Sequence, residues 1–378
     1  MNRCRLALFA IGVVALLPAS RVAAQPAPAK AHTALVHCVA VSPDGKTLAT
    51  AGFDNTVKLW EIGADGALKP LKVLTGHTGP VYAVAFHPTD PKIVATASQD
   101  KTGRIWDITD IKKAEGKGAA DGVAEVAKPK FELKGHTDIV DTIAFSPDGK
   151  SLATGGADKS VKLWNQTDGK ELKALGVHDG SVYSVAFSPD SKLLASAGAG
   201  KDNLVKIWDV KEQKQITQLK GHEHPVTAVV FADNELVVTA SMDRTVRTWT
   251  TKGGTLEPKD PPKVDPPKVD PKKVDPKDPK KDPPKVDPPK EYKDPKELKR
   301  LGPTSDDPYS VAWSPATKTA AVCGYSGQIT IWALDAEKPK LTKAIKSPGY
   351  CVAFSGDGKL VFSGHDNGTV AVTPTSGK

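Results

Sequence analysis

His136, Thr154 and Asp158 put an imidazole, a hydroxyl and a carboxylate within one short span of chain. These are the side-chain types of a nucleophile, the base that activates it and the group that orients the base. A hydrolase site is therefore one reading. The other is architectural: a buried Asp needs hydrogen-bond partners, and a His with a hydroxyl supplies them where water is excluded.

Recurrence separates the two. The stretch SLATGGADKSVKLW at 151–164 follows Gly135-His136, and similar stretches follow Ala31-His32, Gly76-His77, Val177-His178 and Gly221-His222. From each His to a closing Trp (Trp60, Trp106, Trp164, Trp208, Trp249) the interval stays within 27 to 30 residues. Two degenerate copies follow, PYSVAWSPATKTAAVCGYSGQITIW up to Trp332 and GYCVAFSGDGKLVFSGHDNGTVAV up to Val372. A reaction needs one triad, not five equivalent ones, so catalysis at these residues is set aside.

Seven units of about 40 residues describe an array. Each unit reads as an alternating strand, a Ser-Pro-Asp-Gly-like turn, a second strand, an Asp-centred turn and a third strand ending in Trp. A further short strand, such as LKPLKVL or FELK, precedes the next His. That makes four antiparallel strands per unit. The composition agrees: 32 Gly and 31 Pro against 6% aromatics in 378 residues favour turns and short strands over long helices.

The ends and interruptions carry their own signals. Arg3 and Arg5, the apolar run Leu6–Leu17 and Val22-Ala23-Ala24 before Gln25 predict an export signal over 1–24. Twelve apolar residues are too few for a bilayer core that needs about 20, and no other stretch is apolar enough to span. Cleavage removes Arg3, Arg5 and Arg21 with no acid, lowering the formal charge from +8 to +5. That surplus gives little reason to propose nucleic acid as a partner. The remaining Cys38, Cys323 and Cys351 lack metal-site spacing, and their odd number is no disulfide framework. Cys38 and Cys351 share one repeat position, which leaves either a bridge or two small buried thiols. His222-Glu223-His224 does not amount to a metal site, since His222 belongs to the repeat.

The Gly-His, Asp and Trp motifs, twice as Trp-Asp at 106–107 and 208–209, resemble the WD-repeat β-propellers, here an exported bacterial member. The resemblance covers nearly all of 30–374. It implies an all-β fold, a closed seven-bladed β-propeller of four-stranded antiparallel blades occupying 25–378. It also implies structural tetrads: His32–Thr50–Asp54–Trp60, His77–Thr96–Asp100–Trp106, His136–Thr154–Asp158–Trp164, His178–Ser196–Asp202–Trp208 and His222–Thr239–Asp243–Trp249. Blade six has Ser326 at the Asp position and Val322 at the hydroxyl position. Blade seven is read as keeping Asp366 with Phe362 and no Trp, so both are expected to be the least stable blades. Residues near 25–30 are expected to complete the last blade.

Two insertions interrupt the period, at 109–130 in blade two and 253–296 in blade five. The second holds 13 Pro, 12 Lys and 10 Asp or Glu, a composition expected to be extended and polyproline-like. It reads either as a solvated loop or as a tether.

The resemblance implies that partners dock on the top face around the channel. Two repeat positions point there. Tyr82, Tyr183, Tyr309 and Tyr350 sit four residues before the aromatic that ends the first strand, with His37, Asp141 and Thr227 in the other blades. Tyr325, Phe53 and His365 precede the residue matched to the tetrad Asp. Tyrosine suits interfaces because a large apolar ring carries a polar tip. These rings either dock a partner or pack between blades.

The expected function is a non-catalytic protein-interaction scaffold, monomeric, periplasmic or extracellular, binding another protein or peptide without cofactor or metal. The alternatives are a propeller enzyme with a site at the channel mouth and a structural envelope component using the Lys-Asp-Pro arm.

Overall fold

A computed structural model of the chain describes residues 28–109, 128–200, 203–251, 296–301, 304, 306–336 and 338–376. The predicted signal at 1–24, residues 110–127 of the first insertion and residues 253–295 of the second lie outside the described residues.

All twenty-eight described elements are strands, and they form seven sheets of four antiparallel strands. In blades one to six the four strands follow one another in chain order. Blade three, for example, runs Val140–Phe145, Ser151–Gly156, Ser160–Asn165 and Glu171–Val177. Blade seven takes three strands from the chain's end and its fourth, Ala29–Lys30, from the start, pairing Ala29 with Val370 and Lys30 with Thr369. An interlocked closure of this kind leaves the ring no loose first blade.

Local sequence explains the turns. In SPDG, Ser146 Oγ donates to Asp148 Oδ1 at 2.6 Å and accepts from Ser151 N at 3.0 Å, while Gly149 takes φ +73°. The same Ser–Asp bond recurs at Ser42–Asp44, Ser188–Asp190 and Ser355–Asp357. In blades two, three and five a glycine precedes the linking His: Gly135 has φ +156°, and a Cβ there would lie 3.3 Å from the Trp164 ring and 2.9 Å from Glu171 Oε2.

The core lies between blades. Seven apolar clusters each join two neighbouring sheets, such as Ile93, Ala95 and Ile105 of blade two with Val140, Ile143 and Leu152 of blade three. The cluster that closes the circle packs Ala31, Cys351, Phe362 and Val370 of blade seven against Val36, Leu48 and Trp60 of blade one. Cys38, Cys323 and Cys351 are free thiols.

Candidate functional site

The His–hydroxyl–Asp–Trp sets come first because they are the groups with chemical potential. In blade three Trp164 Nε1 donates to Thr154 Oγ1 at 2.8 Å. His136 Nε2 lies 2.7 Å from the same hydroxyl, and its Nδ1 lies 2.9 Å from Asp158 Oδ2. Donor counting fixes the direction of the chain. An ionised Asp can only accept, so Nδ1 carries the proton, Nε2 accepts from Thr154, and Thr154 accepts from the indole. Blades one, two and five repeat this with His-to-hydroxyl distances of 2.7 Å and His-to-Asp distances of 2.7 to 2.8 Å. Burial pushes the carboxyls of Asp54, Asp100 and Asp243 up, but the imidazole, a neighbouring Thr and a backbone N–H outweigh it and hold all three well below the ordinary range. In these blades the indole, hydroxyl, imidazole and carboxylate are engaged with one another inside the blade.

Blade four differs. Trp208 and His178 both reach Ser196 at 2.8 Å, yet His178 Nδ1 is buried and has no partner among the described residues. The turn is longer here. Ala199 N bonds Ser181 O as Ala157 N bonds Ile139 O, so Gly200 occupies the place of Asp158. Asp202 itself lies outside the described residues. Burial and then the Lys206 charge push His178 down to about 3.

In blade six Val322 stands at the hydroxyl position, and Trp332 Nε1 is buried without an acceptor among the described residues.

Blade seven corrects the sequence alignment by one residue. Asp366 N bonds Pro348 O, the contact that Tyr325 N, Gln99 N and Ala157 N make in their own blades, so Asp366 stands in the place of Tyr325 and Phe53. Asn367 takes the Asp place, accepting from Thr369 N and Oγ1 as Asp158 accepts from Ser160. The hydroxyl position is Ser363, not Phe362. His365 is fully buried, with Nε2 2.8 Å from Ser363 Oγ and Nδ1 2.9 Å from Ser347 O. It supplies from within the strand the ring that other blades bring in from the preceding loop, and Ser347 Oγ in turn donates to Asp366. His365 therefore does not belong to the docking surface expected from the sequence, because it is an internal polar link.

The second constellation is a ring. His37, Tyr82, Asp141, Tyr183, Thr227, Tyr309 and Tyr350 are each the second residue of their blade's first strand. In all seven blades the pairing with the second strand skips that residue. A bulged residue leaves the ladder and its side chain is re-aimed. All seven line one central cavity of about 590 Å³.

The rings touch in an arc. Tyr309 stacks on Tyr350 at 5.1 Å between centroids, Tyr350 lies 6.2 Å from His37, and His37 stacks on Phe53 at 5.5 Å. Tyr82 closes on both His37 and Phe53, at 4.8 and 5.0 Å. The His37 ring is also held by Tyr82 O at 2.7 Å, and burial keeps its pKa below the ordinary value. Tyr325 is 62% exposed, and Tyr183 is the exposed tyrosine of the ring itself. Met242 also joins the lining. No group of three or more His, Cys, Asp or Glu able to hold a metal occurs among the described residues, nor does a helix long and apolar enough to cross a membrane.

The family described as WD domain, G-beta repeat matches this chain in seven segments: 28–61, 68–107, 127–165, 169–209, 213–250, 295–333 and 345–372. Similar curated proteins include human Coronin-7, 33% identical over 132 residues (34% of this chain, 12% of that protein). Protein HIR1 of Kluyveromyces lactis is 28% identical over 161 residues, covering 39% of this chain and 19% of that protein. The transcriptional corepressor LEUNIG_HOMOLOG of Arabidopsis thaliana is 27% identical over 161 residues, covering 36% and 20%. The matched segments thus span a fifth or less of those relatives.

Proposed function

The chain belongs to the WD-repeat family, and from that premise we propose that it is a non-catalytic scaffold that binds another protein or peptide at the tyrosine-lined end of its central cavity. One observation carries this reading: the continuous arc Tyr309–Tyr350–His37–Phe53–Tyr82, contributed by blades six, seven, one and two. A ring set packed for stability alone would sit between sheets. This one is built from bulged positions around the axis, with the exposed Tyr325 beside it. Aromatic anchors that combine apolar area with a polar tip dominate binding energy at such surfaces.

The His–hydroxyl–Asp–Trp chains take no part in the reading except as internal ties. The scaffold works outside the cytoplasm as an exported bacterial protein, as the basic, apolar and small-residue pattern of 1–24 supports.

The test is affinity capture from envelope extracts with the mature chain beside a Tyr309→Ala/Tyr325→Ala/Tyr350→Ala variant. Each truncated anchor at a docking centre costs about 1–2 kcal/mol or more, so the triple variant recovers little of any partner bound by the parent chain. Equal recovery by both would remove the proposal.

A further inference from the structure

Asp141 is the one carboxyl in the ring that lines the cavity. The flanking blades place Tyr82 and Tyr183 at the same bulged position. Its Oδ2 is shut off from solvent and accepts no hydrogen bond, and no ion pair reaches the carboxyl among the described residues. The ionisable groups facing it are Tyr82 from blade two, Tyr183 from blade four, and Asp138 and Asp158 of its own blade. None of them is a cation.

This is at odds with the treatment of buried acids elsewhere in the ring. Asp54, Asp100, Asp158 and Asp243 each receive an imidazole N–H. An unpaired carboxylate taken out of water is costly, and a cavity wall is where an external group can remove that cost. The cavity has room for a long side chain, with Val185 and Val229 in its wall and two tyrosine faces beside the acid. A carboxylate with aromatic faces and apolar walls suits a cation on an aliphatic stem.

We propose that the cavity receives a basic side chain of the partner protein, a lysine or an arginine, with its charged head on Asp141 and its stem between Tyr82 and Tyr183. This rests on the docking reading above and names the chemistry of what docks.

Burial, then the charges of Asp138 and Asp158, raise free Asp141 to about 7. Cation binding needs the ionised acid, so affinity rises with pH and levels off above 7. It weakens by about 100-fold between pH 8 and pH 5, a factor of ten per unit below the pKa. Burial also lowers the pKa of His37, the imidazole of the ring, below its ordinary value.

The experiment titrates the folded mature chain by NMR with Ac-Gly-Gly-Arg-Gly-Gly-NH2, its lysine counterpart and its citrulline isostere. The arginine or lysine peptide binds and shifts the Tyr82 and Tyr183 resonances, and the citrulline peptide binds at least about tenfold more weakly. Asp141→Asn weakens the cationic peptides by about tenfold or more and removes the pH dependence. Asp141→Ser repeats the measurement should the Asn variant fold poorly. Binding that ignores charge or ignores Asp141, or no binding of either cationic peptide at about 5 mM, overturns the proposal. Partner capture keeps the two readings apart. If the tyrosine variant loses the partner and Asp141→Asn retains it, the basic side chain is refuted while the docking surface stands.

Discussion

Blade three and blade six carry the same sheet on different internal wiring. In blade three the indole of Trp164 ends on a hydroxyl, the hydroxyl on an imidazole and the imidazole on a carboxylate. In blade six Trp332 is equally enclosed, but Val322 stands at the hydroxyl position and the indole N–H has no acceptor among the described residues. Both blades still close their apolar interfaces, through Leu152 and Trp164 on one side and Ala320 and Trp332 on the other. Apolar packing between sheets is thus enough to hold a blade in the ring. The polar chain adds a fixed link from the loop before the blade to its second and third strands. Blade seven shows that the link can be rebuilt with a different ring, His365, so only blade six lacks an imidazole link among the described residues of the ring.

The largest expected effect comes from deleting a linking ring. His136→Ala strands Thr154 and Asp158 and opens a hole, at a cost of about 3 kcal/mol in urea unfolding. His365→Ala is predicted to cost about as much for the same reason. A loss much below 1 kcal/mol for His365→Ala would show that blade seven's wiring is not equivalent.

Blade four supplies the next test. His178 is depressed to about 3, whereas the unfolded chain titrates it near its ordinary value. The unfolded state therefore binds the extra proton as pH falls below about 6.5. The stabilisation from this neutral ring is complete above that pH and is lost progressively down to about 3. Between pH 7 and pH 5 the parent chain should lose about 2 kcal/mol more stability than His178→Leu. Parallel pH profiles for the two proteins would contradict the assignment.

Asp141 has the opposite sign. Its folded value near 7 exceeds the unfolded one, so the folded state keeps a proton the unfolded chain has released, and stability drops as pH rises from about 4 to 7. Asp141→Asn is expected to gain about 1–2 kcal/mol at pH 8, a gain that vanishes near pH 4. A destabilised Asn variant at pH 8 would mean the acid is already paired. The smallest effect is a repair: Val322→Thr gives Trp332 an acceptor and should add about 1 kcal/mol.

The repeat made most of this fold legible. Alternating strands, the SPDG-like turns and the fixed His-to-Trp interval require only short-range rules, and each was present at least four times. The positions lining the central cavity were legible as a column of tyrosines, but not the reason they point inward, because a bulge leaves no residue-type signature. Blade seven was misread because an Asp stood one residue from its expected place and outweighed two better clues. Ile345 sits where the linking His of other blades enters, so no ring could come from the loop. Ser363 and His365, two apart on one strand face, offered the substitute. In blade four the two extra residues between Ser196 and Trp208 were the sign that the turn is longer than in the other blades.

The seven tryptophans allow the most direct test of the account. Five indole N–H groups, those of Trp60, Trp106, Trp164, Trp208 and Trp249, donate to a buried hydroxyl, while Trp313 and Trp332 have no acceptor among the described residues. Hydrogen exchange followed on the indole resonances of 15N-labelled protein should show five strongly protected signals and two faster ones, with Trp332 slowed in Val322→Thr. Protection of Trp332 equal to that of Trp164 in the parent chain would contradict the claim that blade six lacks the hydroxyl acceptor on which the His–hydroxyl–Asp–Trp chains of the other blades are built.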